Sequence, residues 1–128
     1  MKDNLIQKLS FDFALQSLDL YKNLLSKNEY VLSKQFLRSA TSIGANVEEA
    51  QAGISKKDFI AKMSIASKEA RETNYWLRIL LELNVHENLR AIERESLELV
   101  KIFSSIVLDF KPSDCSFPVF KETSSTLG

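Results

Sequence analysis

A chain of 128 residues, 45% of them hydrophobic, is one domain large enough to bury roughly 70% of the surface its unfolded form exposes. Its 17 basic and 17 acidic side chains cancel, which excludes a uniformly basic nucleic-acid binder but leaves room for a local basic patch. Three glycines and two prolines are too few for the turns of a sandwich or barrel, so the composition predicts an all-α chain.

Residues 1–9 read as an N-terminal arm, with Leu5, Ile6 and Leu9 at helical spacing but no clear cap. Ser10 supplies an N-cap, and Asp12 suits the positive end of the helix that follows. Phe11, Ala14, Leu18, Tyr21 and Leu25 step by three and four, flanked by Leu15 and Leu24, and predict a first helix over 10–27. The second helix, over 29–52, has its seam at Phe36, Ala40, Ile43, Val47, Ala50 and Ile54. Ala40 and Ala50 allow a neighbouring helix to approach closely. Gly44 costs about 1 kcal/mol against alanine there, which calls for a kink or a close helix contact as its reason. Asn46, one step off the seam, reads as an amide bonded to a neighbouring helix or a backbone carbonyl. Gly53 stops the helix, and Ser55 with Asp58 three residues on forms a capping box for the next.

The third helix, over 56–83, has its seam at Phe59, Met63, Ala66, Ala70, Thr73, Leu77 and Leu80. Its small residues are expected to face those of the second helix in a tight crossing. Asn84 suits a left-handed cap, and His86 lies in the connection after it. The fourth helix, over 87–110, uses Leu89, Ile92, Ser96, Leu99, Phe103, Ile106 and Phe110, and Pro112 ends it. Residues 112–128 are rich in Ser, Thr and charge and read as a flexible tail; the rival reading is an arm that docks Phe117 and Phe120 on a partner. Four seams and three short connections predict an antiparallel up-down-up-down four-helix bundle spanning 10–111. Heptad-like spacing predicts left-handed packing at roughly 20°.

Apolar residues remain beyond these seams. Ile65, Tyr75, Trp76, Ile79 and Leu83 lie off the main row of the third helix, and Leu97, Val100 and Val107 off that of the fourth. They can simply widen the buried face. A tryptophan left in water among aliphatic neighbours is an adhesive patch, however, and the third-helix group predicts a surface for self-association.

One set of motifs points to a family. Arg38, Ser42-Ile43, Ala45-Asn46-Val47 and Glu49 are followed by Ser55-Lys56-Lys57-Asp58-Phe59 and by Lys68-Glu69-Ala70-Arg71-Glu72-Thr73-Asn74-Tyr75-Trp76-Leu77-Arg78. This pattern resembles the four-helix-bundle proteins first noticed as reading frames in intervening sequences of 23S ribosomal RNA genes, also called S23 ribosomal proteins. The likeness spans Ser10 to Lys111. Many relatives carry proline where this chain has Gly44, so the resemblance implies a bend there. It also implies a bacterial, ring-like homopentamer, with Ser42, Asn46 and Glu49 as motif residues, and brings no established reaction. A more distant likeness is to the accessory variability determinant of diversity-generating retroelements, a pentameric bundle that binds nucleic acid and a reverse transcriptase. This chain is neutral where that relative is strongly basic.

Three function classes compete. A non-enzymatic homo-oligomeric interaction scaffold needs only the spare apolar surface. Nucleic-acid binding would use a basic rim formed on the oligomer by Arg38, Lys56, Lys57, Lys62, Lys68, Arg71 and Arg78, holding phosphates without reading bases. Each of these can equally belong to a solvated helix face, with pairs such as Lys68–Glu72. An enzyme has the least support. The single histidine lies outside any Glu-x-x-His spacing, and no Gly-rich phosphate loop, zinc pattern or nucleophile set is present. Glu48, Glu49, Glu69 and Glu72 are expected to pair with arginines rather than gather as bare carboxylates. Neither cofactor nor metal is expected. One cysteine, Cys115, no apolar run of membrane length and no signal-peptide pattern predict a cytoplasmic protein without a membrane partner.

Overall fold

The computed structural model describes residues 3–83 and 88–110. It contains four helices, α1 (Asp3–Ser26), α2 (Val31–Gln51), α3 (Lys56–Leu83) and α4 (Leu89–Phe110), and no strand among the described residues. α1 packs on α2, α2 on α3 and α3 on α4, while a slimmer contact closes α1 against α4 and no diagonal pair meets. That cyclic order is a four-helix bundle. Asn84, His86 and the segment from Lys111 to Gly128 lie outside the described residues. No described helix is long and apolar enough to cross a membrane.

Three of the four predicted seams form the core. On α2, Phe36, Ala40, Ile43, Val47 and Ala50 are buried, while Ile54 lies beyond the helix and is 92% exposed. On α3, Met63, Ala66, Ala70, Thr73, Leu77 and Leu80 are fully buried and Phe59 packs against them half-buried. On α4, Leu89, Ile92, Ser96, Leu99 and Phe103 are buried, joined by Val100, with Ile106 and Val107 half-buried.

The first helix differs. It begins at Asp3, so the expected arm is helical from there and Ser10 lies within the helix rather than at its start. The buried face is Ile6, Ser10, Phe13, Ser17, Leu20 and Leu24. The expected seam turns outward instead: Phe11 is 64% and Leu18 39% exposed. α1 carries two apolar stripes, and the one that packs is lined with small hydroxyls. The Ser10 hydroxyl donates 2.8 Å to the Ile6 carbonyl, which removes the cost of burying it. Across from it lies Gly44, where a Cβ would stand 3.5 Å from the Ser10 carbonyl oxygen. Small residues on both helices thus set a close α1–α2 approach. This is the local reason for Gly44 within an uninterrupted α2.

The helix ends follow side-chain chemistry. Asn28 takes the left-handed conformation (φ 65°), and the amides of Asn28 and Glu29 donate back to Leu25 and Leu24 at 2.9 and 3.0 Å. The Glu29 carboxylate then accepts from the Leu32 amide at 2.6 Å and opens α2. Gly53 ends α2 without a left-handed turn. Its need is for space, since a Cβ there would meet Asp58 Cβ at 3.1 Å and the Ala50 carbonyl at 3.2 Å. Ser55 caps α3 as expected, accepting from the Asp58 amide at 3.1 Å.

Candidate functional site

α3 is the helix on which the polar features converge, because it is packed on both sides. Toward α2, the buried Thr73 hydroxyl lies 2.9 Å from Ser39 Oγ and 2.8 Å from the Glu69 carbonyl. Just outside this pair, the Arg38 guanidinium donates to Glu69 at 3.4 Å and to the Glu72 carboxylate. Glu72 also accepts from Trp76 Nε1 at 3.0 Å. Farther along the same side, Lys62 meets Glu49 at 2.7 Å. Asn46 donates 2.9 Å to the Ser42 carbonyl of its own helix, so both motif residues serve α2 itself.

Burial pushes the Glu72 carboxyl up, but the hydrogen bonds from Arg38 and Trp76 and the charge of Arg38 outweigh it and hold the group below its ordinary value. Arg38 is raised in turn, chiefly by its bond to Glu72. A depressed carboxyl contributes stability above its unfolded pKa and loses it as pH falls through the lower folded value. Glu72→Gln is therefore expected to flatten the acid limb of a Tm-versus-pH curve. At neutral pH the partly exposed pair is worth at most about 1 kcal/mol. An acid limb unchanged in the variant would show that the pair does not couple to folding.

Toward α4, one amide makes the polar joint. Asn74, 7% exposed, donates through Nδ2 to Ser96 Oγ and Glu93 Oε2, both at 2.9 Å, and its Oδ1 accepts from Arg78 Nε at 2.9 Å. The sequence reading placed Asn74 in the family motif without giving it a role. An amide between two helix seams three residues from a buried position was the available signal.

The seven basic residues proposed for a rim are divided around α3. Arg38 and Lys62 lie on the α2 side in ion pairs, and Arg71 and Arg78 on the α4 side, bonded to Ser104 and Asn74. Arg78 also stands over the Tyr75 ring, 5.8 Å from its centre. Lys56, Lys57 and Lys68 are exposed. The expected Lys68–Glu72 pairing gives way to Arg38. The four glutamates do not gather: Glu48 accepts from Gln7 at 2.9 Å, Glu49 pairs with Lys62, and Glu69 and Glu72 flank Arg38. No group of three metal-ligating side chains occurs among the described residues.

Exposed apolar residues form one stripe on α3 and another on α1, while on α4 Leu97 and Leu108 are exposed and Val100 is buried. On α3, Ile65, Tyr75 and Leu83 are exposed, while Trp76 and Ile79 are half-buried, the indole edge-on to Tyr75 at 5.2 Å. Trp76 thus packs partly on its own chain instead of standing in water. On α1, Phe11, Leu15 and Leu18 repeat at four and three residues along an outward face. Beside Phe11 runs a groove of about 630 Å³ between α1 and α2, floored by Ser10, Ala14, Gly44 and Ala45.

Comparison with known proteins bears on this arrangement. Residues 2–105 match the family model described as 23S rRNA-intervening sequence protein. None of the curated proteins matches. Among solved structures, one from Bacteroides thetaiotaomicron VPI-5482, described as a protein with unknown function from the S23 ribosomal protein family, superposes with a TM-score of 0.79. It is 44% identical, over 84% of this chain and 98% of that one.

Proposed function

This chain belongs to the 23S rRNA-intervening sequence protein family, and we propose that it works without catalysis, as a homo-oligomeric interaction scaffold. The observation that carries this reading is the pair of unpartnered apolar stripes, Phe11, Leu15 and Leu18 on α1 and Ile65, Tyr75 and Leu83 on α3. They lie on helices that do not touch, so each subunit offers two different patches. Patches of different composition on separate helices suit a head-to-tail contact, which closes into a ring when the rotation permits. Of the rings that such a contact can close, a homopentamer is the one the family likeness favours. A basic rim binding nucleic acid has less support, since Arg38 and Lys62 are already in ion pairs.

Light scattering on the purified chain is expected to give a mass several times 14.6 kDa, five times for the pentamer. Leu15→Glu with Leu18→Glu, and separately Ile65→Glu with Leu83→Glu, should each give helical monomers. Mixing those two variants should yield dimers and nothing larger, because one intact patch of each remains. A wild-type monomer at micromolar concentration would defeat the proposal.

A further inference from the structure

We infer that the α1–α2 groove is the docking site for this chain's own C-terminal segment, with Phe117 and Phe120 as the anchoring side chains. The inference goes beyond the scaffold reading and assigns Phe11 to the groove, leaving Leu15 and Leu18 for the contact between copies. The groove is lined by the small residues Ser10, Ala14, Gly44 and Ala45, with Phe11 beside them at 64% exposure; Thr41, Lys8 and the Gln7–Glu48 hydrogen bond of 2.9 Å complete the lining. Small residues below and an aromatic wall beside make a slot shaped for a further aromatic ring.

The occupant is indicated by where the chain leaves the bundle. Gln16 of α1 bonds Glu95 of α4 at 3.3 Å, and in an antiparallel pair that register brings Phe110 level with the first residues of α1. Eighteen residues, 111–128, follow from that end. The slot beside Phe11 and Ala14 lies about 15–20 Å along the bundle from there and about 10 Å across α1. Seven extended residues from Phe110 to Phe117 span up to roughly 24 Å, enough for the diagonal. The segment holds both its aromatic residues in one run, Phe117-Pro118-Val119-Phe120, between Asp114 and Lys121, with Leu127 apart from it. A proline at position 118 disfavours helix at the residue before it and carries no amide hydrogen that docking would strip of water. A short tether keeps the local concentration of this run near the groove in the millimolar range, so a shallow slot suffices. The match to the family model covers residues 2–105, so the segment lies beyond the matched residues.

Cys115, the single cysteine, stands two residues before Phe117 and accepts a nitroxide label in the full-length chain. In perdeuterated, labelled protein, the amide signals of Phe11, Gly44 and Ala45 are expected to lose at least half their intensity relative to the ascorbate-reduced sample. Lys101, on the outer face of α4, should be unaffected. Phe117→Ser with Phe120→Ser should restore the signals, and in unlabelled chain it should move the Gly44 and Ala45 amide shifts. Uniform weak broadening, broadening that survives the double substitution, or amide shifts identical in wild type and variant would overturn the inference. So would broadening that appears in isotope-labelled, nitroxide-free chain mixed with nitroxide-labelled copies, because the segment would then dock on a neighbour.

Discussion

Phe36→Ala is expected to lower the unfolding free energy by about 3–5 kcal/mol, the range for removing a fully buried aromatic ring. The ring is wholly inaccessible and sits on α2, the helix that packs against both α1 and α3. Deleting it leaves a space in the core between helices whose positions are set elsewhere, so they cannot freely close it. On α1, Ser10 is fixed against Gly44, and on α3, Thr73 is fixed against Ser39. Urea unfolding followed by helical circular dichroism measures the loss. A change below about 1 kcal/mol would mean that the bundle repacks freely and that these small-residue contacts do not hold the helices in place.

Asn74→Asp is expected to cost about 3 kcal/mol at neutral pH and much less in acid. The native amide donates its two hydrogens to Ser96 Oγ and the Glu93 carboxylate, with the Glu93 carbonyl 3.4 Å away. An ionised aspartate donates to none of them and brings a second negative charge against Glu93. Arg78, which bonds Oδ1 in the native chain, offsets only part of this. The introduced carboxyl would have a raised folded pKa, so the penalty is absent below its unfolded value and grows as pH rises toward the folded one. That slope is opposite in sign to the one Glu72 produces, and the two separate cleanly in a Tm-versus-pH series. A variant as stable at pH 7 as the native chain would show that the α3–α4 joint rests on its apolar seam alone.

Where the pattern of apolar residues was unambiguous, it identified the core. Met63, Ala66, Ala70, Leu77 and Leu80 leave α3 one reading, and all are buried. α1 offered two. Counting hydrophobic residues selects Phe11, Leu15 and Leu18, while the packed face includes Ser10 and Ser17. Ser10, which bonds its own helix backbone, behaves as a small, nearly neutral filler, a property that hydrophobicity does not register, whereas the buried Ser17 hydroxyl has no such partner. Gly44 was similarly half legible: its cost within a helix demanded a reason, and only the position of Ser10 supplied one. Glu72 could have paired with Lys68 one turn away or with a partner on another helix. Arg38, 34 residues earlier, takes it.

The sequence by itself determined four helices, their ends at Asn28, Gly53 and Ser55, their antiparallel order and the family, because these depend on residues close together in the chain. The tertiary structure alone decided which side of α1 faces inward, which cations are already paired, and that an amide at Asn74 joins α3 to α4. Each of those is a choice between neighbours of comparable local energy. It is settled by closeness of packing and by hydrogen bonds across helices, terms that appear only once the helices meet.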